Sequence, residues 1–282
     1  MSQVIVNNTG LGNKGRDTAG PGVRVRTVAL PVEHGGWGLT LEPVVLGMLL
    51  APTAAGFFLS VATVGAFLAR HPLKIVAGDR RRGRRFPRTP VAERYATLYA
   101  TVAAAGMLFA LLAADGYAFL LPLMLAAPLA AVQLLYDIKG DSRALWPELA
   151  GATALAAVAT SIALAGGWPN APAYGLWAVL ITRVVPSIIY VRARLNRLHG
   201  DRASGAPVII EHAAAFVFIA ALAWAKVVPA LATAALAVLM LRAAHGIAES
   251  GPGVTAKRIG VRELVYGALT VTLVVAGHWL GR

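Results

Sequence analysis

Two charges stand inside apolar sequence, and their placement is the first sign of chemistry. Glu42 follows Trp37-Gly38-Leu39-Thr40-Leu41, and Arg183 stands within Leu180-Ile181-Thr182-Arg183-Val184-Val185-Pro186. Arg183 lies about eight residues from the end of its apolar stretch, roughly 12 Å along a helix, and Glu42 lies at a similar depth counted from Glu33. An unpaired charge at that depth costs at least ~2.5 kcal/mol in a bilayer, so such groups face a bundle interior and pair. Glu42 and Arg183 are therefore expected to meet or to line one polar cavity. Other polar groups gather where apolar stretches end: Glu33-His34, Arg70-His71, Asp137-Ile138-Lys139-Gly140-Asp141-Ser142-Arg143, Glu148, Tyr190-Val191-Arg192-Ala193-Arg194, Asp201-Arg202, Glu211-His212 and Arg242-Ala243-Ala244-His245. A site built from them opens to one side of the membrane. The chain has no cysteine, which excludes a disulfide framework, a Cys-ligated metal and a thiol nucleophile. The spacing of His34, His71, His212 and His245 favours no metal site, and neither metal nor cofactor is expected.

The elements that must carry these groups follow from composition. Of 282 residues, 57% are hydrophobic and 14% charged. Soluble domains are roughly 45–50% apolar and about 25% charged, so an ordinary soluble domain is excluded. The apolar run from Trp37 to Arg70, broken by Glu42 and Pro52, would be ~51 Å long as one helix, against a hydrocarbon core of ~30 Å. Two helices turning at Ala51-Pro52-Thr53 are required. The same arithmetic splits 208–243 near Lys226–Pro229. Single spans are expected at 96–114, 117–136, 149–165, 174–191 and 264–280. The fold class is all-α: a polytopic membrane protein of nine transmembrane helices. A mobile polar tail over 1–31 precedes one transmembrane domain over 32–282, and no cleavable signal peptide is expected. Pro43, Pro122, Pro128 and Pro186 fall inside the expected helices and should bend them.

The net charge of +13 has a topological pattern. Of the 26 Lys and Arg residues, all but Arg183, Lys226 and Arg282 lie in the tail and in alternate loops with their flanks. The intervening loops, near Pro52, Asp115-Gly116 and Gly166–Tyr174, contain none. The positive-inside rule then puts the N-terminus in the cytoplasm and the C-terminus outside. The run Arg80-Arg81-Arg82 with Arg84-Arg85 reads as a solvated loop on anionic lipid headgroups. Membrane lipids are the expected partners, and nucleic acid is not needed to explain the charge.

Two resemblances add to this reading. Pro31-Val32-Glu33-His34-Gly35-Gly36-Trp37 with Arg70-His71-Pro72-Leu73 resembles the opening signature of the YwiC-like family of bacterial membrane proteins. That resemblance, taken over about 31–280, implies the bacterial inner membrane. The layout is also distantly similar to UbiA-type intramembrane prenyltransferases. Trp37-Gly38-Leu39-Thr40 with Pro43 and Gly47, Tyr136–Ser142, and Gly200–Val208 carry that similarity. It implies a UbiA-like helical bundle with a polar cytoplasmic mouth.

The departures from that second pattern bear on chemistry. The superfamily holds magnesium with aspartates after its second helix, where this chain has Arg70-His71-Pro72-Leu73-Lys74. Of the second aspartate motif only Asp201 stands, with Arg197 four residues before it. Guanidinium groups can bind an anionic headgroup directly, often in bidentate fashion. The resemblance thus implies binding of an isoprenoid or other anionic amphiphile without metal, by Arg70, His71, Lys74, Arg183, Arg192, Arg194, Arg197 and Asp201. Glu33, His34 and Tyr190 would handle protons at the rim, and any prenyltransferase-like activity would be atypical and metal-independent. A small-molecule or ion transporter is the alternative, because Glu42, Arg183 and the helix prolines also suit a conduction path.

Overall fold

The computed structural model describes residues 24–31, 34–141, 144–198, 204–248 and 255–281. Among them the chain is all-helical: α1 Val25–Ala29, α2 His34–Leu50, α3 Ala54–Arg81, α4 Thr89–Ala113, α5 Leu120–Lys139, α6 Leu145–Ala165, α7 Asn170–Leu198, α8 Ala206–Trp224, α9 Ala230–Ala248 and α10 Ala256–Leu280. The turns between α2 and α3 and between α8 and α9 fall at Pro52 and near Pro229, as expected. Thr53 caps α3 by accepting from the Gly56 amide at 3.0 Å, and Gly140 ends α5 with φ 91°, a conformation that favours glycine.

Eight helices, α3 to α10, are long and apolar enough to cross a membrane. The protein is a polytopic membrane protein. The expected ninth span, α2, is shorter. Its 17 residues rise about 25 Å, a few ångströms short of a typical hydrocarbon core. Leu41, Val45 and Leu49 are exposed along one side of α2, four residues apart, and form an outward apolar stripe. Large apolar side chains are exposed on α4, α5, α8 and α10 as well, as expected of surfaces solvated by lipid.

Several helices run past the expected spans. Between the apolar run that ends at Arg70 and the span expected from 96, α3 continues to Arg81 and α4 begins at Thr89. The 28 residues of α3 reach about 42 Å, so it projects beyond the hydrocarbon. Arg80 and Arg81 then occupy its last turn, where cations suit the helix dipole. Pro122 is in a helix as expected, but in its first turn, where it does not bend the helix. It is the third residue of α5, where no intrahelical bond is lost, whereas Pro43, Pro128 and Pro186 are interior. Within the stretch read as a mobile tail, α1 is a helix whose Val28 packs with Val76 and Ala92.

At the projecting end of α3, Asp79 is fully buried. It accepts from Arg88 Nη2 and from Thr89 Oγ1, both at 2.7 Å. These bonds join the two ends of the basic turn and hold the Arg88 guanidinium above its ordinary value. Asp79→Ala leaves the Thr89 hydroxyl buried without its acceptor. The expected loss is about 1–3 kcal/mol of stability, read as a lower melting temperature of the purified protein.

Helix α6 is the centre of the bundle. It contacts α2, α3, α5 and α7 and is built largely of alanine, which lets neighbours approach closely. Two regions flank it. On one side, α3 pairs tightly with α4 while α5 pairs with α6. On the other, α7, α8, α9 and α10 pack in succession, and α2 joins α6 to α10.

Candidate functional site

The first region holds a groove. Helices α3 and α5 touch only lightly, and α4 packs on α3 instead of on α5. The two hairpins therefore leave a cavity of about 650 Å³. Its walls are small and apolar, among them Ala66, Ala103, Ala127, Ala130 and Leu155. Leu73 and Leu134 along it are exposed, so it is not sealed. The volume lies within the roughly 300–1,000 Å³ typical of small-molecule sites.

One end of this groove is charged. Arg70 donates through Nη2 to Asp137 Oδ1 at 3.0 Å, and its Nε donates to Oδ2. The Gln133 amide, oriented to satisfy both neighbours, accepts from Arg70 Nη2 at 2.6 Å and donates to the Pro147 carbonyl at 3.1 Å. A Cβ on Gly151 would strike the Gln133 side chain, so the glycine of α6 makes room for this bond. One turn further, Pro31, Phe67, Arg70, His71 and Lys74 enclose a small void beside the groove's polar end. His71 Nε2 lies 3.1 Å from the Thr27 carbonyl and links α3 to the segment around α1.

The second region holds a buried charge network. Arg183 of α7, 4% exposed, places Nη2 2.9 Å from Glu42 Oε1 of α2, so the expected pair forms. The same Nη2 donates to the Glu263 carbonyl of α10 at 2.8 Å, and Nη1 lies 4.0 Å from Glu263 Oε2. Arg242 of α9 donates to Glu263 Oε1 and, through Nη2, to Ser187 Oγ at 3.0 Å. Its guanidinium stacks 4.1 Å from the Tyr190 ring centre and 5.3 Å from that of Tyr266. His212 Nδ1 lies 2.7 Å from the Val208 carbonyl, to which it can only donate. The opposite nitrogen, Nε2, is then the acceptor and faces Arg242 Nη2 at 3.5 Å. Gly267 admits the network: a Cβ there would lie 2.9 Å from Arg183 Nη2 and would collide with the Glu42 carboxylate.

The residues singled out in the sequence thus divide. On α3, Arg70 lines the groove, and His71 and Lys74 line the small void beside it. Arg183, Tyr190 and Arg194 lie on α7 and face α9 and α10, while Arg197 donates to the Ile247 carbonyl at 2.6 Å. Arg192 pairs with Glu148 of α6 at 2.7 Å. Glu33, Asp201 and the side chain of His34 lie outside the described residues. Glu263, Gln133, Ser187 and Tyr266 complete the two sites and were not singled out. For Ser187 a signal existed. Arg183, Ser187, Tyr190, Arg194 and Arg197 recur every three or four residues, a polar stripe on one helix face. Among the described residues, no three His, Asp or Glu side chains converge to hold a metal ion.

Below the network the bundle is closed. Leu176, Val179 and Leu180 of α7 pack with Leu46, Leu236, Leu239 and Val274 in one continuous apolar core. A separate cavity of about 480 Å³ opens at the far end, lined by Trp168, Lys226 and His278 among others.

Residues 30–163 match the family model described as YwiC-like protein. No curated protein and no solved structure matches the chain. The matched segment is narrower than the resemblance taken from sequence. It runs from the residues before α2 nearly to the end of α6 and contains every residue of the groove, whereas α7 to α10 lie beyond it.

Proposed function

We propose that this YwiC-like polytopic membrane protein binds an anionic amphiphile, with the apolar chain in the α3–α6 groove and the headgroup beside Arg70, His71 and Lys74. The observation that supports this is a large apolar cavity ending on an arginine. Lipid tails are as apolar as the groove, so the tail gains little by leaving the bilayer. The headgroup must supply the selectivity, and guanidinium and ammonium groups select an anion. An isoprenoid phosphate meets both requirements, and a UbiA-like bundle with α2 as its ninth span is the architecture we infer. The binding reading needs no metal and no transfer step.

The buried charges from Glu42 to Arg242 favour the transporter alternative. The apolar layer around Leu180 and Leu239 counts against it, because it separates the charges from the far cavity among the described residues. Lipid mass spectrometry on the purified protein, with and without magnesium, tests the proposal. One retained anionic amphiphile per chain, independent of magnesium, is the expected result. Retention of bulk lipid only, in bulk proportions, would overturn it.

The proposed orientation places the basic turn in the cytoplasm. The natural chain has no cysteine, so single cysteines report sidedness without background. Arg84→Cys should react with a membrane-impermeant maleimide only after cells are opened, and Lys226→Cys in intact spheroplasts. The reverse pattern refutes the assignment.

A further inference from the structure

We propose that a second pocket, between α7, α9 and α10, binds an oxyanion, a phosphate group. The pocket has a volume of about 60 Å³ and is lined by Tyr190, Arg194, Arg242, Arg262, Glu263 and Tyr266, among others. About 10–15 Å³ seats one water, so roughly four to six fit, about the room one tetrahedral anion needs. It is far too small for a lipid chain. Three arginines and one carboxylate line it. Oε1 of that carboxylate accepts from Arg242, while Oε2 lies 4.0 Å from Arg183 and has no hydrogen-bond donor among the described residues. Arg242 and the exposed Arg262 by themselves outnumber this carboxylate in the lining.

Arg242 is the anchor. Its side chain is 6% exposed, and the rings of Tyr190 and Tyr266 fix its plane. Glu263, Ser187 and His212 occupy its two Nη groups. Its buried Nε–H has no acceptor among the described residues. A buried donor left in that state is costly, and an oxyanion satisfies it with a charge-assisted bond. The guanidinium is held in place before any ligand arrives, so binding orders little. Arg262 is exposed on α10 and supplies the outer charge. No residue of this pocket lines the α3–α6 groove, so the inference does not depend on the amphiphile reading.

The ligand could be free in the cytoplasm or be the phosphate of a lipid. Equilibrium dialysis of the full-length, delipidated protein against labelled inorganic phosphate separates the two. A parallel native mass spectrum with added phosphatidic acid, taken on the Ala130→Phe protein so that the groove cannot hold the lipid, tests the lipid source. The expected result is one saturable site for at least one of these probes, weakened about tenfold by Arg262→Gln. Arg242→Lys keeps the charge but removes the Nε donor, and it should abolish binding. Ala130→Phe, in the groove, should leave the binding of inorganic phosphate unchanged. Phosphate binding identifies a soluble oxyanion, whereas phosphatidic acid binding alone identifies a headgroup. Failure of both probes to bind at one site per chain would overturn the proposal. So would binding that persists undiminished in a folded Arg262→Gln protein.

Discussion

Replacing Arg183 with glutamine lowers the unfolding free energy by about 3–5 kcal/mol, the usual cost of removing one partner of a buried ion pair. The reason is the count of charges around it. Glu42 and Glu263 both face Arg183, and Arg242 compensates only one of them. Without Arg183 the interior of α2, α7, α9 and α10 holds one excess carboxylate. Glu42→Gln should cost less, because Arg183 keeps Glu263 as a partner. The double variant Glu42→Gln with Arg183→Gln restores neutrality and should recover most of the loss. This non-additivity separates a charge effect from a packing effect. Reversible unfolding in mixed micelles measures all three. An Arg183→Gln protein within ~1 kcal/mol of the parent, well below the cost of a broken buried pair, would refute the account.

Filling the groove has the second large effect. Ala130 is exposed and lines the cavity, so a phenylalanine there can enter it without displacing a core residue. Ala130→Phe should abolish retention of the amphiphile by at least about tenfold, while stability stays within ~1 kcal/mol of the parent, because no buried contact is removed. Native mass spectrometry gives the occupancy, and a thermal melt gives the stability. The separation of the two readouts matters: a groove that merely meets bulk lipid would show no drop in a selected species. Arg70→Gln is the complementary variant but a less clean one. It leaves Asp137, 3% exposed, without its guanidinium partner, so a loss of binding would be mixed with a loss of stability.

The helices and the Glu42–Arg183 pair were legible in the sequence for one reason. A bilayer imposes conditions that act on each segment by itself: about 20 apolar residues to cross, and a heavy cost for an unpaired charge. Apolar runs too long for one crossing had to fold back at Pro52 and near Pro229, and they do. Two opposite charges at similar depth had to find each other, although 141 positions separate Glu42 from Arg183 in the numbering. Hydropathy also failed where its conditions lapse. Beyond the hydrocarbon a helix can continue in polar sequence, so the ends of α3, α7 and α10 were missed.

The partners of those charges were decided by the tertiary structure alone. Arg70 and Arg194 both flank apolar spans and look alike in sequence. One pairs with Asp137 beside an apolar groove, and the other reaches the Gly246 carbonyl in a different part of the bundle. What separates them is the rotation and spacing of whole helices. Those are fixed by close contacts between small residues, such as Gly65 and Gly106 at the α3–α4 crossing. A helical period reports which residues share a face. It does not report which neighbour that face meets, and for this protein that neighbour determines what each arginine can bind.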